Sequence, residues 1–526
     1  MFIAYCRKII SSYRWRPWHA CLIFAAAIVI IYSQSLFFNY SYLDDQQLIL
    51  ENADILERAN PAEIFLNDVF FSPDKVYYRP LLTWSLALDW HWGGGTIFSF
   101  HFSNLLFHII AACLLFYLLR TIRIREETSF WLSFFFAIHP ALVQAVAWVP
   151  GRNDSLAAIF IFSTLLFLSR WFRQERLRDL LFLWFFFLLA LLTKETAVLL
   201  PLFAAAWIFI FERGYFTYLK FGLAAAGASV AGLIWYLLRS AALGQTDNGN
   251  LLASLWHNLF SPVIYLGKVI FPFNLSVYPV LADVIWPYGI IAALIFIAFL
   301  YFSRPHRYSR LAFGLIWFWL FLILGLSRPD SDSFQNFMEH RLYVPIFGLI
   351  IIAAETENFW RRLSCQWRRR ALLLVITVFV VINVIYTYNF RDRVHFWQQA
   401  TKSSPHSALA NRNLGAMYYL NGDKEKAEIF FRRSLSLNIQ EPMAHNNLAL
   451  IYMDRGDLWR AEMELKKELA INPNYDLALY NLGRVYYERR RYQEAASLWQ
   501  RVLRINPRYF QATLSLEKLN SEILSP

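Results

Sequence analysis

Eleven apolar runs, each near the length that crosses a bilayer, fill most of the first 390 residues. They occupy 19–37, 101–119, 130–148, 155–170, 179–193, 196–211, 220–239, 284–302, 311–327, 342–357 and 371–389. A helix needs about 20 apolar residues to span hydrocarbon. In lipid every backbone N–H and C=O must be satisfied internally, so runs of this kind are restricted to membrane helices. The chain is 57% hydrophobic and 17% charged, whereas a soluble domain is nearer half apolar and about a quarter charged. The run 257–273 contains Pro262, Lys268 and Pro272 and reads as a re-entrant or interfacial segment. The first run follows a basic patch, Arg7, Lys8, Arg14 and Arg16. No small-residue cleavage site follows it, so it is expected to be an uncleaved first span.

The formal net charge is +12, which in a soluble protein would suggest a nucleic-acid partner. Here the basic residues sit between apolar runs, so topology accounts for them. Clusters at Arg120/Arg123/Arg125, Arg170/Arg173/Arg176/Arg178, Arg213/Lys220, Arg304/Arg307/Arg310 and Arg361/Arg362/Arg368/Arg369/Arg370 alternate with connections poor in Lys and Arg. With eleven spans this places the N-terminus in the cytoplasm and the C-terminus outside. A full crossing at 257–273 would flip the five-arginine loop outward. The first outward loop, 37–100, is acidic (Asp44, Asp45, Glu51, Asp54, Glu57, Glu63, Asp68, Asp74) and holds apolar pieces suited to short surface helices. The four cysteines, Cys6, Cys21, Cys113 and Cys365, are scattered and suggest neither a disulfide framework nor a zinc site.

Beyond residue 390 the pattern changes. Asn413-Leu414-Gly415, Asn447-Leu448-Ala449 and Asn481-Leu482-Gly483 recur at a spacing of 34, as do Ala427/Ala461/Ala495 and Phe431/Leu465/Trp499. Small residues let paired helices approach and large ones fill the space between them. A helix-turn-helix period of 34 with these residues is the tetratricopeptide repeat (TPR) signature. The expected architecture is all-α: a polytopic membrane domain at 1–390 and a TPR solenoid at 391–526. Repeats fall near 407–440, 441–474 and 475–508, with a capping helix at 509–525.

Polar motifs interrupt the apolar runs on the outward side. Asp44-Asp45 follows the first span. Two adjacent carboxylates suit general-base work, a cation, or simply a solvated turn. Arg152 and Asp154 in Gly151-Arg152-Asn153-Asp154, Lys194-Glu195, and Glu339-His340-Arg341-Leu342-Tyr343 lie at membrane-face turns, and Arg79 and His139 fall on the same side. Each has a structural alternative: an ion pair at Arg152/Asp154 or at Lys194/Glu195, and a helix cap at His139. Together Arg79, His139, Arg152, Lys194, His340 and Arg341 supply positive or proton-donating groups on the face that carries Asp44 and Asp45. A departing lipid phosphate and an activated hydroxyl need such groups. Asp154, Glu195, Glu339 and Tyr343 are expected to support them. No Walker A loop, dinucleotide-binding glycine motif, HExxH or zinc ligand set is present. This argues against a cytosolic ATP or nucleotide-sugar enzyme.

Tyr42-Leu43-Asp44-Asp45, Tyr78-Arg79-Pro80-Leu81, His139-Pro140, Gly151-Arg152, Thr193-Lys194-Glu195-Thr196, Phe271-Pro272-Phe273-Asn274-Leu275-Ser276 and Glu339-His340-Arg341-Leu342-Tyr343, followed by TPRs, occur in one order. In this the chain resembles the transmembrane and TPR-repeat-containing O-mannosyltransferases and their bacterial relatives, which are GT-C glycosyltransferases. The resemblance implies an inverting transfer from a polyprenyl-phosphate-linked sugar, with no metal or other cofactor. It implies a protein Ser/Thr hydroxyl or another envelope molecule as acceptor. Asp44 or Asp45 would be the base, and the basic motif residues would hold the lipid phosphate. Only three clear repeats are present, which points to a bacterial inner-membrane enzyme with its TPRs in the periplasm. A non-catalytic TPR scaffold for an envelope or secretion complex is the alternative. It leaves the acidic and basic motifs unexplained.

Overall fold

The computed structural model describes residues 16–72, 75, 77–244, 255–256, 258–304, 307–326, 337–362 and 364–524. The patch residues Arg7, Lys8 and Arg14, together with Cys6, Asp74 and the stretch 327–336, lie outside the described residues. The fold is all-α. The chain divides into two compact units, Met1–Phe396 and Trp397–Pro526.

In the first unit, seven helices among the described residues are long and apolar enough to cross a membrane: Pro17–Phe37, Ile97–Thr121, Val149–Gln174, Tyr218–Leu243, Trp286–Ser303, Tyr308–Leu326 and Cys365–Phe390. The other expected runs form a bent helix pair or shorter apolar helices. The run 130–148 is two helices, Glu126–Ala137 and Pro140–Ala147, bent by 53°. Pro140 has no N–H to donate, and His139 before it is extended (φ −74°, ψ 122°), as the residue preceding a proline prefers. The runs 179–193, 196–211 and 342–357 form shorter apolar helices at Leu177–Thr193, Glu195–Phe211 and Ile346–Glu355. Within 257–273 the helix is Ser261–Ile270, ten residues. At 1.5 Å per residue that is about 15 Å, half of a bilayer's hydrocarbon.

Burial separates inner from outer helices. Of the apolar window in Val149–Gln174, 78% is buried, against 11% in Tyr218–Leu243. The first is the centre of the bundle. The second presents Leu233, Tyr236 and Leu237 outward, as a lipid-facing helix does. Helices cross closely where side chains are absent. A Cβ on Gly348 would lie 2.2 Å from the Gly314 carbonyl oxygen, and one on Gly267 would lie 2.9 Å from the Gly289 nitrogen. Without a hydrophobic gain in lipid, such close packing is what holds membrane helices together.

The basic connections meet through ion pairs. Arg173 binds Glu212 at 2.7 Å, Arg310 binds Glu355 at 2.8 Å, and Arg125 lies 3.6 Å from Glu357. The opposite connections meet elsewhere. There the first loop forms short helices, Ala53–Arg58 and Pro61–Phe65, against the longer Pro80–Gly93. Ile49, Leu56, Ile64, Leu86, Phe100 and Val149 share one buried cluster. This layer covers the ends of Ile97–Thr121 and Arg152–Gln174.

The second unit stacks helix pairs Ala408–Leu420/Lys424–Leu437, Ala444–Asp454/Leu458–Ile471 and Asp476–Glu488/Tyr492–Ile505, with Phe510–Leu524 after them. Gly415 sits against Phe431, and Gly483 against Trp499. The turns repeat too. Gly422, Gly456 and Arg490, each 34 residues apart, have φ of 83°, 75° and 59°.

Candidate functional site

Five stretches converge at one end of the membrane unit: 38–45, 77–79, 138–154, 193–196 and 337–343. Asp45 organises the first. Its carboxylate accepts from Ser41 N (2.5 Å), Ser41 Oγ (2.8 Å) and Leu43 N (2.9 Å), and it is 1% exposed. Trp148 Nε1 donates to the same Ser41 hydroxyl at 3.1 Å. Burial pushes the Asp45 carboxyl above its usual range, opposed by these hydrogen bonds. Asp45 therefore ties the loop to the 138–152 connection. Its neighbour Asp44 lines a narrow cleft of about 40 Å³ instead, shared with Arg79, Trp148, Asn153, Asp154 and His340.

Two of the lining residues, Arg79 and Asp154, belong to ion pairs. Arg79 Nε and Nη2 donate to the Glu195 carboxylate at 3.0–3.1 Å, and its guanidinium lies 4.4 Å from the Tyr77 ring centroid. With its amide nitrogen toward the Thr193 carbonyl (2.8 Å), Asn153 accepts from Arg79 Nη1 at 3.2 Å. Lys194 Nζ reaches Asp154 Oδ1 at 2.6 Å. The other oxygen, Asp154 Oδ2, is buried without a hydrogen-bond partner, 3.9 Å from His340 Nε2. The charges of Arg79 and Arg341 both act on Lys194. Arg79 and His340 thus line the cleft beside Asp44 and Asp154, with Glu195 and Lys194 bound behind Arg79 and Asp154.

The other expected site residues are turned inward. Arg152 is fully buried. It donates to Asp89 (2.5 Å), Asn104 Oδ1 (2.8 Å), the Phe100 carbonyl (2.6 Å) and the Ser85 carbonyl (3.4 Å). Its donors are taken up by the packing of the first-loop layer against the bundle. His139 Nδ1 accepts from Ala141 N at 3.2 Å and caps the short turn at the helix break. Glu339 binds Lys268, accepts from Ser276 N at 3.0 Å and lies 3.4 Å from the Tyr386 hydroxyl. It fastens the Ser261–Ile270 helix to the bundle. Tyr343 pairs its hydroxyl with His108 Nδ1 at 2.6 Å, deep among the helices.

Asn153, Trp148 and Gln144 were not singled out by sequence reasoning. The Gln144 amide donates to the Val277 carbonyl at 3.0 Å and accepts from His340 N at 3.1 Å, so it sets the position of His340. Its signal was a polar residue inside the apolar segment Ala141–Trp148. Gly151 is required sterically, because a Cβ there would lie 2.4 Å from the Gln144 carbonyl oxygen. No group of three or more metal-binding side chains occurs among the described residues.

Fold and site define a multi-pass helical membrane protein with a polar cleft at one end of its bundle and a TPR array at its C-terminal end. Tetratricopeptide repeat models match residues 394–442 and 476–509. The chain has homologues among the protein O-mannosyl-transferases of the TMTC family. It is 29% identical over 179 residues to protein O-mannosyl-transferase Tmtc1 of Drosophila melanogaster, covering 33% of this chain and 21% of that protein. It is 31% identical over 150 residues to protein O-mannosyl-transferase TMTC2 of Homo sapiens, covering 28% and 18%. The chain spans about a fifth of the length of the curated relatives it matches. Among solved structures it is similar to the first TPR of Spaghetti (RPAP3) bound to an HSP90 peptide. That match is 24% identical with a TM-score of 0.22, over 23% of this chain and 94% of that one.

Proposed function

We propose that this chain is an inverting membrane glycosyltransferase. It moves a sugar from a polyprenyl-phosphate carrier to a hydroxyl, on a protein Ser/Thr or another envelope acceptor, at the outward face. The carrying observation is the cleft: Asp44, Arg79, Asp154 and His340 line it together, with Arg79 bound to Glu195 and Asp154 to Lys194. Similarity to protein O-mannosyl-transferases supports the reaction class.

In the proposed step Asp44 takes the proton of the acceptor hydroxyl. The hydroxyl oxygen attacks the anomeric carbon, and the bond from that carbon to the phosphate oxygen breaks. The electron pair leaves on the lipid phosphate. Arg79, Lys194 and Arg341 stabilise the charge that develops there, so the reaction runs without a metal. His340 is placed to hydrogen-bond the phosphate or the sugar. Asp45 and Arg152 act by holding the loop and the helix ends in place.

Purified full-length protein with a labelled polyprenyl-phosphate sugar is expected to release lipid phosphate. Asp44→Asn should lower the rate at least about 100-fold, the usual contribution of a general base, with an unchanged melting temperature. Asp45→Asn should instead lower the melting temperature, because it disturbs a buried hydrogen-bonded group. Full turnover by Asp44→Asn would remove it as the base.

The scaffold reading retains one observation in its favour, the matched repeats. Normal complementation by Asp44→Asn, together with failure of a deletion of 397–526, would favour it.

A further inference from the structure

The helix Arg152–Gln174 starts at the cleft end and runs 23 residues. At 1.5 Å per residue this is about 34 Å, close to the thickness of bilayer hydrocarbon. At its far end a groove of about 440 Å³ opens against Ile97–Thr121, lined by Tyr117, Thr121, Leu166, Arg170, Arg173 and Gln174. The lining is ordered by depth. Leu166 and Tyr117 lie one helical turn nearer the membrane centre than Arg170 and Thr121. The deeper layer is apolar or aromatic, and the rim is basic and polar.

The two arginines differ. Arg173 is pinned, with Nε and Nη2 each 2.7 Å from the Glu212 carboxylate. Arg170 stacks 5.5 Å from the Phe167 ring centroid and forms no carboxylate ion pair among the described residues. Around them, Arg120 is 3.8 Å from Glu126, and Arg123 donates to the Tyr215 hydroxyl at 3.2 Å. The rim therefore keeps an uncompensated positive charge directly above an apolar floor. A free anion would leave the floor wet, and a zwitterionic headgroup would bring a cation of its own to a rim that is already basic. A molecule with a phosphate at one end and hydrocarbon at the other satisfies both layers.

We propose that this groove binds one anionic phospholipid of the surrounding bilayer. Its phosphate sits between Arg170 and Arg173, and the start of an acyl chain lies over Leu166 and Tyr117. The site lies a bilayer's depth from the cleft and is independent of the glycosyltransferase reading. Basic pockets between membrane helices recognise acidic headgroups by this combination of charge and apolar wall.

The test is native mass spectrometry of the full-length protein in detergent, titrated with phosphatidylglycerol, phosphatidylcholine or inorganic phosphate. Wild type should retain phosphatidylglycerol at least fivefold better than phosphatidylcholine. Arg170→Gln should remove that preference while leaving phosphatidylcholine retention unchanged. Leu166→Trp, which fills the floor and keeps both arginines, should reduce retention of phosphatidylglycerol. Equal retention of the two lipids by wild type, or an unchanged preference in both variants, would overturn the proposal. So would complete displacement of phosphatidylglycerol by millimolar inorganic phosphate, which would make the groove a free-anion site.

Discussion

Asp44 and Asp45 are adjacent and chemically identical, yet their surroundings differ. Asp45 is closed into the loop by Ser41 and Leu43, whereas Asp44 lines the cleft. What separates them is the turn that closes Ser41 and Leu43 onto Asp45, a turn that Trp148, 107 residues from Ser41, joins through the Ser41 hydroxyl. Arg79 and Arg152 are a second such case. Both stand at helix starts on the same side, but Arg152 begins the central helix and turns toward Asp89. The Arg152–Asp89 pair predicts a stability phenotype. Arg152→Met would strand a buried carboxylate and should cost about 3–5 kcal/mol. Arg152→Met combined with Asp89→Leu should recover much of that loss, because the charge is removed with its partner. Thermal unfolding of the detergent-solubilised protein reads both. Equal destabilisation in the single and double variants would mean that the arginine acts through its other hydrogen bonds, to Asn104, Phe100 and Ser85.

At the scale of elements, apolar runs were legible and breaks within them were not. Hydropathy averages over Ile138-His139-Pro140, so 130–148 reads as one span, while the backbone there bends by 53°. Beyond the bend Gln144 meets His340 and Trp148 lines the cleft. The TPR helices were legible to within a few residues, because each repeats the same small and large positions at a period of 34. Their turns give a further prediction. Gly422 and Gly456 take left-handed backbone conformations, and so does Arg490 at the equivalent place (φ 59°). A side chain in that region costs roughly 1–2 kcal/mol, and Arg490 is exposed. Arg490→Gly should stabilise the third helix pair by about 1 kcal/mol, seen as slower amide exchange across 476–505. Faster exchange would show that the Arg490 side chain contributes more than its backbone strain costs.

At the scale of the whole molecule, the basic clusters predict sidedness. The Arg125–Glu357, Arg173–Glu212 and Arg310–Glu355 pairs link connections that all carry positive charge, and such loops stay in the cytoplasm. A periplasm-active reporter fused after residue 526 should then be active, and a cytoplasm-active one silent. The opposite pattern would place residues 397–526 in the cytoplasm and overturn the expected sidedness. The ten-residue Ser261–Ile270 helix bears on this count, since it is too short to cross and so does not add a span by itself.

The sequence by itself determined the all-α class, the membrane character of the first part and the repeat array of the second. Those properties follow from composition and period, which are local quantities. It also brought to notice the polar motifs from which the cleft is built. Only the tertiary structure decided which motif residues share the cleft and which brace it. Asp44, Arg79, Asp154 and His340 come from separate stretches of the chain, and Arg152, His139, Glu339 and Tyr343 turn away through contacts with Asp89, Ala141, Lys268 and His108. The face a side chain presents depends on which helix packs beside it. That is set by the crossing of helices far apart in the chain.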